Sequence, residues 1–346
     1  MNNIRIGVVG AGRMGQRHAR LYANLRHTQL TGICDTNPQV GEPVARQYDV
    51  PFYGELADLL KHVDAVSLVV PSPLHFELSM RCLERGVHVL IEKPIAETVA
   101  DAERLTEAAE ASGRVVQVGH IERFNPAYME LKNVLDAMSP VAINFRRLSP
   151  FKGSNNDVDV VLDLMIHDTN LVLDLMQQEP AAITAHGLTV FTGFVDHAIA
   201  QLSFENGPLV TVTASRVTEQ KVRSVDVTAR EAFLECDLLN KSILVHRHTI
   251  GEYLINGQPG TKYRQESIVE RIQVPIYEPL FVELQHFVKC ILENKTPSVS
   301  ARDGFAALRL AMDIRRTIRA QWEAAGSVPT PRARGVAAPA LTPVAG

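Results

Sequence analysis

The sequence predicts an α/β protein in which a doubly wound parallel sheet is followed by an α+β domain with a large, mainly antiparallel open sheet. Strand-like and helical segments alternate over residues 1–120, the pattern of a parallel sheet with helices on both faces. Farther along, strand-like segments follow one another with few helices between them. A chain of 346 residues is also longer than one typical domain. We therefore expect one domain over residues 1–120, a second over 121–325, and a mobile Ala/Pro-rich tail over 326–346.

The first strand is expected to lead into a dinucleotide-binding turn of the Rossmann type. An apolar run at residues 4–9 is followed by a helical pattern, and the motif between them reads Gly10-Ala11-Gly12-Arg13-Met14-Gly15. Gly10 permits a sharp turn, Gly12 lets the backbone approach a pyrophosphate, and Gly15 lets the helix lie against the strand. The phosphates are then expected at the free amides of the helix start, around Arg13 and Met14.

A carboxylate at the end of the second strand indicates which dinucleotide is bound. The apolar run at residues 30–34 ends in Asp35, about twenty residues after Gly15, where an acid takes the hydroxyls of the adenosine ribose. The same charge repels a 2′-phosphate, and residues 36–38 contain no Arg that would accommodate one. We therefore predict that the cofactor is NAD rather than NADP.

The ends of the next strands are expected to complete the same crevice. Buried strands are predicted over residues 65–70, 87–91 and 115–118. Ligands of such sheets bind beyond the carboxyl ends of the strands. We expect further cofactor contacts from Pro71, His75, Glu92 and Lys93 and a substrate contact from His120. Glu92 is also placed to support the turn that carries Lys93, and a histidine at a helix start, such as His75, needs no functional role.

A second group of candidate residues lies on a helix predicted over residues 160–176. Asp163 and His167 are four residues apart, so they are expected to share one helix face. An acid in this position orients an imidazole and raises its basicity, as a general base requires. The alternative is an ordinary helix-surface contact. Lys93, expected at a strand end of the cofactor domain, favours the catalytic interpretation.

Four motifs together resemble the Gfo/Idh/MocA oxidoreductase family, and the resemblance covers roughly residues 4–320. The motifs are residues 10–15, Glu92-Lys93-Pro94, Arg123-Phe124-Asn125-Pro126 and Asp163-x-x-x-His167. The resemblance implies that Lys93 lies beside the nicotinamide and the reacting carbinol and that His167 is the acid/base. It implies that Asp163 holds substrate or orients the histidine. It also implies a homo-oligomer, a dimer or tetramer, formed through the open sheet of the second domain.

Within the family, residues 118–127 and 162–168 are most similar to the UDP-N-acetylglucosamine 3-dehydrogenases. This similarity implies NAD-dependent oxidation of the sugar C3 hydroxyl, feeding a transaminase in the synthesis of diamino-sugar lipid A. The alternatives are a dehydrogenase of UDP-GlcNAc uronic acid, an inositol or a free sugar, and a non-catalytic NAD-binding regulator. Arg123 is a candidate for binding a diphosphate, with Arg146, Arg147 and Lys152 as further candidates. Exposed basic residues of this kind are often simply solvated.

Composition excludes several other classes of function. The formal net charge of -4 gives no reason to expect nucleic acid as a partner. The four cysteines are far apart, which argues against disulfides and zinc sites, and His246 and His248 have no evident third ligand. We expect no metal. No apolar run is long enough to span a membrane, so we expect no membrane partner and a cytoplasmic location.

Overall fold

The computed structural model describes residues 3–151, 153, 158–254, 261–326 and 328, and for 248–254 and 261–266 it describes the backbone alone. Lys152 and almost all of the predicted tail therefore lie outside the described residues. Among the helices of the described part, none is both long and apolar enough to cross a membrane.

Six parallel strands form the N-terminal sheet, which confirms the predicted architecture. The strands are β1 (Ile4–Val9), β2 (Thr28–Cys34), β3 (Phe52–Tyr53), β4 (Ala65–Leu68), β5 (His88–Glu92) and β6 (Val116–Gly119). They lie in the order β3-β2-β1-β4-β5-β6, and every neighbouring pair is parallel. The strand order reverses between β1 and β4, so the crevice that binds ligands in such sheets lies at the carboxyl ends of these two strands.

Helices cover both faces of this sheet. They are α1 (Arg13–Tyr22), α2 (Pro38–Gln47), α3 (Leu56–Leu59), α4 (His75–Glu84) and α5 (Val99–Ser112). Val8 and Val89 are completely buried, as expected of strands covered on two sides. The side chain of Thr98 caps α5 by accepting a hydrogen bond from the amide of Asp101.

The second sheet has eight strands and is mainly antiparallel, as predicted. The strands are β7 (Pro140–Leu148), β8 (Ala182–Leu188), β9 (His197–Ser203), β10 (Leu209–Ser215), β11 (Val222–Ala229), β12 (Phe233–Asp237), β13 (Ser242–Leu254) and β14 (Thr261–Ile272). Their order is β14-β13-β12-β11-β7-β10-β9-β8. The central pair β7 and β10 is parallel, and the other pairs are antiparallel.

Four longer helices belong to this part of the chain. They are α6 (Pro126–Leu135), α7 (Ile166–Met176), α8 (Pro279–Glu293) and α9 (Ala301–Ala324). Asn125 caps α6 through its side chain, which accepts a hydrogen bond from the amide of Ala127. Helices α7 and α9 pack against the sheet, whereas Ile199 and Leu209 on its other face are 38% and 48% exposed. Helix α8 packs back against α1, so the second part of the chain also helps to close the core of the first.

The helix predicted over residues 160–176 differs from the expectation at its start. A π-helical turn over Val161–Met165 precedes α7. The side chain of Asp159 accepts hydrogen bonds from the amides of Val161 and Leu162 and so holds the start of this turn. A π turn contains more residues than an α turn, so side chains on either side of it are rotated relative to their α-helical positions, and such turns are frequent at functional sites.

Candidate active site

The three glycines of the first turn have different structural reasons for being glycine. A Cβ on Gly10, whose φ is +92°, would lie 2.3 Å from the carbonyl oxygen of Val69, and a Cβ on Gly15 would lie 1.8 Å from that of Gly10. A Cβ on Gly12 would meet nothing within 4 Å. The first and third glycines are therefore required by the protein itself. The second glycine faces open space, as expected of a residue that a cofactor pyrophosphate approaches.

The start of α1 is also free to receive an anion. Gly12 is the N-cap and contributes no side-chain hydrogen bond to the first turn. The amides around Arg13 and Met14 therefore have no competing cap and can donate to phosphate oxygens. These features fit the dinucleotide that the sequence predicts.

Asp35 stands at the end of β2 and is partly exposed. One oxygen of its carboxylate accepts a hydrogen bond of 2.7 Å from the amide of Ala11, and the other accepts one of 2.8 Å from the amide of Asn37. These bonds fix the carboxylate beside the glycine turn. Each carboxylate oxygen keeps a second acceptor position, which suits it to the two ribose hydroxyls predicted to bind there.

Lys93 follows β5 and bridges the two parts of the chain. Its ammonium donates a hydrogen bond of 3.0 Å to the main-chain oxygen of Asp163 in the π turn and lies 3.9 Å from one carboxylate oxygen of that residue. Its side chain is 21% exposed. Burial lowers the pKa of Lys93, and the carboxylate of Asp163 opposes this effect. The ammonium is therefore held in the crevice by a contact that leaves it partly open to a ligand.

The side chain of His75 contacts the turn that carries Lys93. The ring is buried, with Nδ1 2.7 Å from the carbonyl oxygen of Pro94 and Nε2 2.9 Å from that of Val70. Burial lowers the pKa of His75, and the two carbonyls oppose this effect. Both ring nitrogens thus have protein partners. Nearby Pro71, also predicted to contact the cofactor, is exposed at the start of a short 3₁₀ turn.

Both carboxylate oxygens of Glu92 also lie close to protein groups. One carboxylate oxygen lies 3.3 Å from the buried Nε2 of His18, and the other accepts a hydrogen bond of 3.3 Å from the amide of Lys93. This arrangement fits the supporting role that the sequence analysis considered for Glu92.

His120 and His167 face one another edge to face, with ring centroids 6.5 Å apart. Among the described residues, neither nitrogen of His120 has a hydrogen-bond partner, nor does Nδ1 of His167. Burial, aided by the charges of Lys93 and Arg123, lowers the pKa of His120 to about 3. Burial and the charges of Lys93 and Arg147 hold the pKa of His167 well below its usual value. Both imidazoles are therefore neutral at neutral pH and have unused hydrogen-bonding capacity.

The structure does not pair Asp163 with His167 as the four-residue spacing suggests. Within the described part of the chain, no hydrogen bond joins the two side chains, and the Asp163 carboxylate lies near Lys93 instead. The π turn over Val161–Met165 accounts for the difference, because it changes the relative orientation of residues 163 and 167.

A buried ion-pair network lies next to the two histidines, and the sequence analysis did not anticipate it. Arg147 binds Asp168 with two hydrogen bonds of 2.9 and 2.7 Å and Glu122 with one of 2.9 Å. Arg223 donates a further bond of 2.9 Å to Glu122. Arg147 could have been recognised in the sequence, because it occupies an inward-facing position of a strand with alternating side chains, where an apolar residue is expected.

The basic residues considered for a diphosphate have other surroundings. Arg123 pairs with Asp174 at 2.8 Å and donates to the carbonyl oxygen of Ser298 at 2.9 Å. It lines a groove between α5, α7 and α9 whose lining includes neither Lys93 nor His167. Arg146 is exposed and Arg147 is 2% exposed. Lys152 lies outside the described residues.

Of the two histidines considered as metal ligands, only His246 has a described side chain. His246 lies 2.6 Å from a carboxylate oxygen of Glu235, and the side chain of His248 is outside the described part. Among the described residues, no group of three or more His, Cys, Asp or Glu side chains is arranged to hold a metal ion.

Comparison with known proteins agrees with this geometry. Residues 4–120 match the model of the Gfo/Idh/MocA oxidoreductase family with its NAD-binding Rossmann fold, and residues 144–235 match the Gfo/Idh/MocA C-terminal domain. The chain is 31% identical to the UDP-N-acetylglucosamine 3-dehydrogenase of Acidithiobacillus ferrooxidans, over 92% of this chain and 99% of that protein. A solved structure of that enzyme superimposes with a TM-score of 0.83, over the same shares of the two chains.

A second relative acts on a different substrate. The scyllo-inositol 2-dehydrogenase (NAD(+)) of Bacillus subtilis is 27% identical, over 91% of this chain and 94% of that protein. The matches extend over both sheets, and the glycine turn fits the dinucleotide named in the family description. The chain therefore belongs to the Gfo/Idh/MocA family of NAD-dependent oxidoreductases.

Proposed function

We propose that the protein oxidises the C3 hydroxyl of UDP-N-acetylglucosamine to the 3-keto sugar. The observation that carries the proposal is the position of Lys93, whose ammonium is held in the crevice by the main-chain oxygen of Asp163 and whose charge acts on both His120 and His167. The similarity to the A. ferrooxidans enzyme along nearly its whole length supports the choice of substrate.

Lys93 and His167 divide the chemistry in this proposal. NAD supplies the hydride acceptor when it is bound. The ammonium of Lys93 donates a hydrogen bond to the substrate oxygen and stabilises the alkoxide that develops there. The neutral imidazole of His167 accepts the hydroxyl proton. The carboxylate of Asp163, 3.9 Å from the ammonium, favours the charged form of Lys93 and contacts the substrate.

In this proposal the binding residues form two groups. The cofactor-binding residues are Gly10, Gly12, Arg13, Met14, Gly15, Asp35, Pro71, His75, Glu92 and Lys93. The substrate-binding residues are Lys93, His120, Arg123, Asp163 and His167. In this assignment Arg123 exchanges part of its pairing with Asp174 for the diphosphate.

The proposal extends to the setting of the enzyme. The keto sugar feeds a transaminase in the synthesis of diamino-sugar lipid A, in the cytoplasm. Residues 1–120 are the cofactor domain and 121–325 the substrate domain. The exposed face of the second sheet, on which Ile199, Leu209 and Phe233 contribute apolar surface, joins copies of the chain into a dimer or tetramer.

Two other functions are distinguished by one assay. The inositol dehydrogenase relative supports a polyol or another sugar as substrate, and an NAD-binding regulator would need no turnover at all. NAD reduction is followed with UDP-GlcNAc, UDP-GlcNAc uronic acid, UDP-glucose and myo-inositol, with a transaminase and glutamate added to remove an unstable 3-keto product. Turnover confined to UDP-GlcNAc supports the proposal. If another compound of the panel is oxidised, the proposed mechanism is retained and UDP-GlcNAc is rejected as the substrate. NAD binding without turnover of any compound favours the regulator.

A further inference from the structure

Arg147 occupies a position where an apolar residue is expected. Along β7 the side chains of Ile143, Phe145 and Arg147 point to the covered face of the sheet, and all three are buried. A buried guanidinium is tolerated only when charged partners and hydrogen bonds replace its water. Its presence at this position therefore has to be explained by what it binds.

One guanidinium connects three segments of the chain. Nε and one terminal nitrogen form a bidentate pair with Asp168 on α7, at 2.9 and 2.7 Å. The other terminal nitrogen donates to Glu122 at 2.9 Å, in the 3₁₀ turn that follows β6. The side chains of Asp168 and Glu122 are 3% and 5% exposed, so these are buried, charge-assisted bonds with fixed geometry.

Each of these two carboxylates is a close chain neighbour of an active-site histidine. Asp168 directly follows His167, and Glu122 lies two residues after His120. In the described residues neither nitrogen of His120 is bonded, and Nδ1 of His167 is also without a partner. The orientation of the two rings is therefore set by the segments that carry them more than by bonds of their own nitrogens.

We propose that Arg147 is the positioning residue of this site, which holds His167 through Asp168 and His120 through Glu122 and so leaves the imidazole nitrogens free for the substrate. The inference rests on the proposed function, since it assigns His167 to proton transfer. Two cations, Arg147 and Arg223, balance the two carboxylates, so the network adds no net charge beside Lys93.

The chain supplies a matched control for the test. Arg146 precedes Arg147 on the same strand, faces the opposite side of the sheet and is exposed. Arg147→Lys keeps the charge and removes the planar fork that binds Asp168 bidentately. Arg146→Lys makes the same chemical change without touching the network.

The expected result separates positioning from general loss of structure. In Arg147→Lys we expect kcat to fall about 100-fold, the loss typical of a misplaced reacting group, with KM and the Kd for NAD within about twofold of wild type. The acid limb of the kcat profile should move to higher pH. The guanidinium of Arg147 lowers the pKa of His167, and a lysine ammonium does not occupy the same position. Arg146→Lys should match wild type in all four measurements.

A measurement without substrate keeps the inference separate from the proposed function. NMR of histidine-labelled protein, with signals assigned from His120→Gln and His167→Asn, should show both ring signals shifted or broadened in Arg147→Lys and unchanged in Arg146→Lys. If Arg147→Lys does not fold, Asp168→Asn breaks the bidentate pair with nearly the same side-chain shape, because an amide offers only one acceptor oxygen, and a loss of kcat at constant KM is expected. Wild-type kcat and wild-type ring signals in these variants would overturn the inference, whichever substrate the enzyme uses.

Discussion

The ammonium of Lys93 lies 3.0 Å from the main-chain oxygen of Asp163, a contact between residues 70 positions apart in sequence. It joins the turn after β5, in the cofactor-binding part, to the π turn in front of α7. Because the bond uses a main-chain oxygen, the carboxylate of Asp163 stays available at 3.9 Å. The contact therefore places a cation between the two parts of the site without neutralising it in a tight ion pair.

Replacing Lys93 or His167 should abolish most turnover and spare cofactor binding. In Lys93→Met and in His167→Asn we expect kcat to fall about 100-fold or more, because each removes a group that acts on charge or protons in the transition state. NAD binding is measured by calorimetry and should stay within about threefold of wild type. Lys61→Met, at an exposed lysine on the other side of the cofactor domain, serves as the control. Near-normal kcat in both site variants would reject the assigned chemistry.

The glycine turn offers a test in which two similar substitutions have different effects. Gly15→Ala places a Cβ 1.8 Å from a main-chain oxygen, so the free energy of unfolding should fall by about 3 kcal/mol or more. Gly12→Ala meets no protein atom within 4 Å, so it should lose only the roughly 1 kcal/mol that alanine costs at an N-cap, and it should bind NAD at least about tenfold more weakly. Urea unfolding and calorimetric titration distinguish the two. Unaltered NAD affinity in Gly12→Ala would contradict the placement of the pyrophosphate.

Asp35 should control the preference between the two nicotinamide cofactors. Asp35→Ser removes the charge that repels a 2′-phosphate and the acceptor for the ribose hydroxyls. The ratio of kcat/KM for NAD over NADP should fall by about tenfold or more, mainly through weaker NAD binding. The same assay on Asp136→Ser, at an exposed aspartate that follows α6, controls for the loss of one negative charge. An unchanged cofactor ratio in Asp35→Ser would count against the ribose assignment.

His120 should make the protein less stable in acid. Its pKa is about 3 in the folded protein, against about 6.5 when unfolded, so between these values the unfolded chain binds a proton that the folded chain does not. The free energy of unfolding therefore decreases as pH falls below about 6.5, by about 1.4 kcal/mol per pH unit from this residue, and is unaffected above it. Between pH about 7.5 and about 5, His120→Gln should lose about 2 kcal/mol less than wild type in urea unfolding. Equal losses would show that His120 titrates normally.

Much of the fold follows from local patterns in the sequence. The alternation of apolar strands and helices up to His120 predicts the parallel sheet, since each unit carries its own periodicity and punctuation. The starts of α6 and α5 are also set locally, because the side chains of Asn125 and Thr98 each accept a hydrogen bond from an amide two or three residues along the chain. The order of the eight strands in the second sheet does not follow from local patterns, because β7 pairs with β10 and β11, which are distant in sequence.

The site was predicted less completely than the fold. Two short local motifs indicate Lys93 and the pair Asp163 and His167. The π turn that separates Asp163 from His167 depends instead on how Asp159 and the neighbouring loop pack. The Arg147 network joins residues from three segments, and no single segment reveals a partner. Arg147 itself was visible only as a charge at an inward strand position.

The most direct test of the account is to follow the hydrogen on C3 of the sugar. The protein is incubated with NAD and UDP-GlcNAc deuterated at C3, with a transaminase and glutamate present, and the NADH formed is analysed by mass spectrometry. We predict NADH that carries one deuterium, formed by wild type and almost absent with Lys93→Met. Formation of NADH without deuterium, or no NADH although NAD binds, would contradict the assignment of this protein as a C3 dehydrogenase.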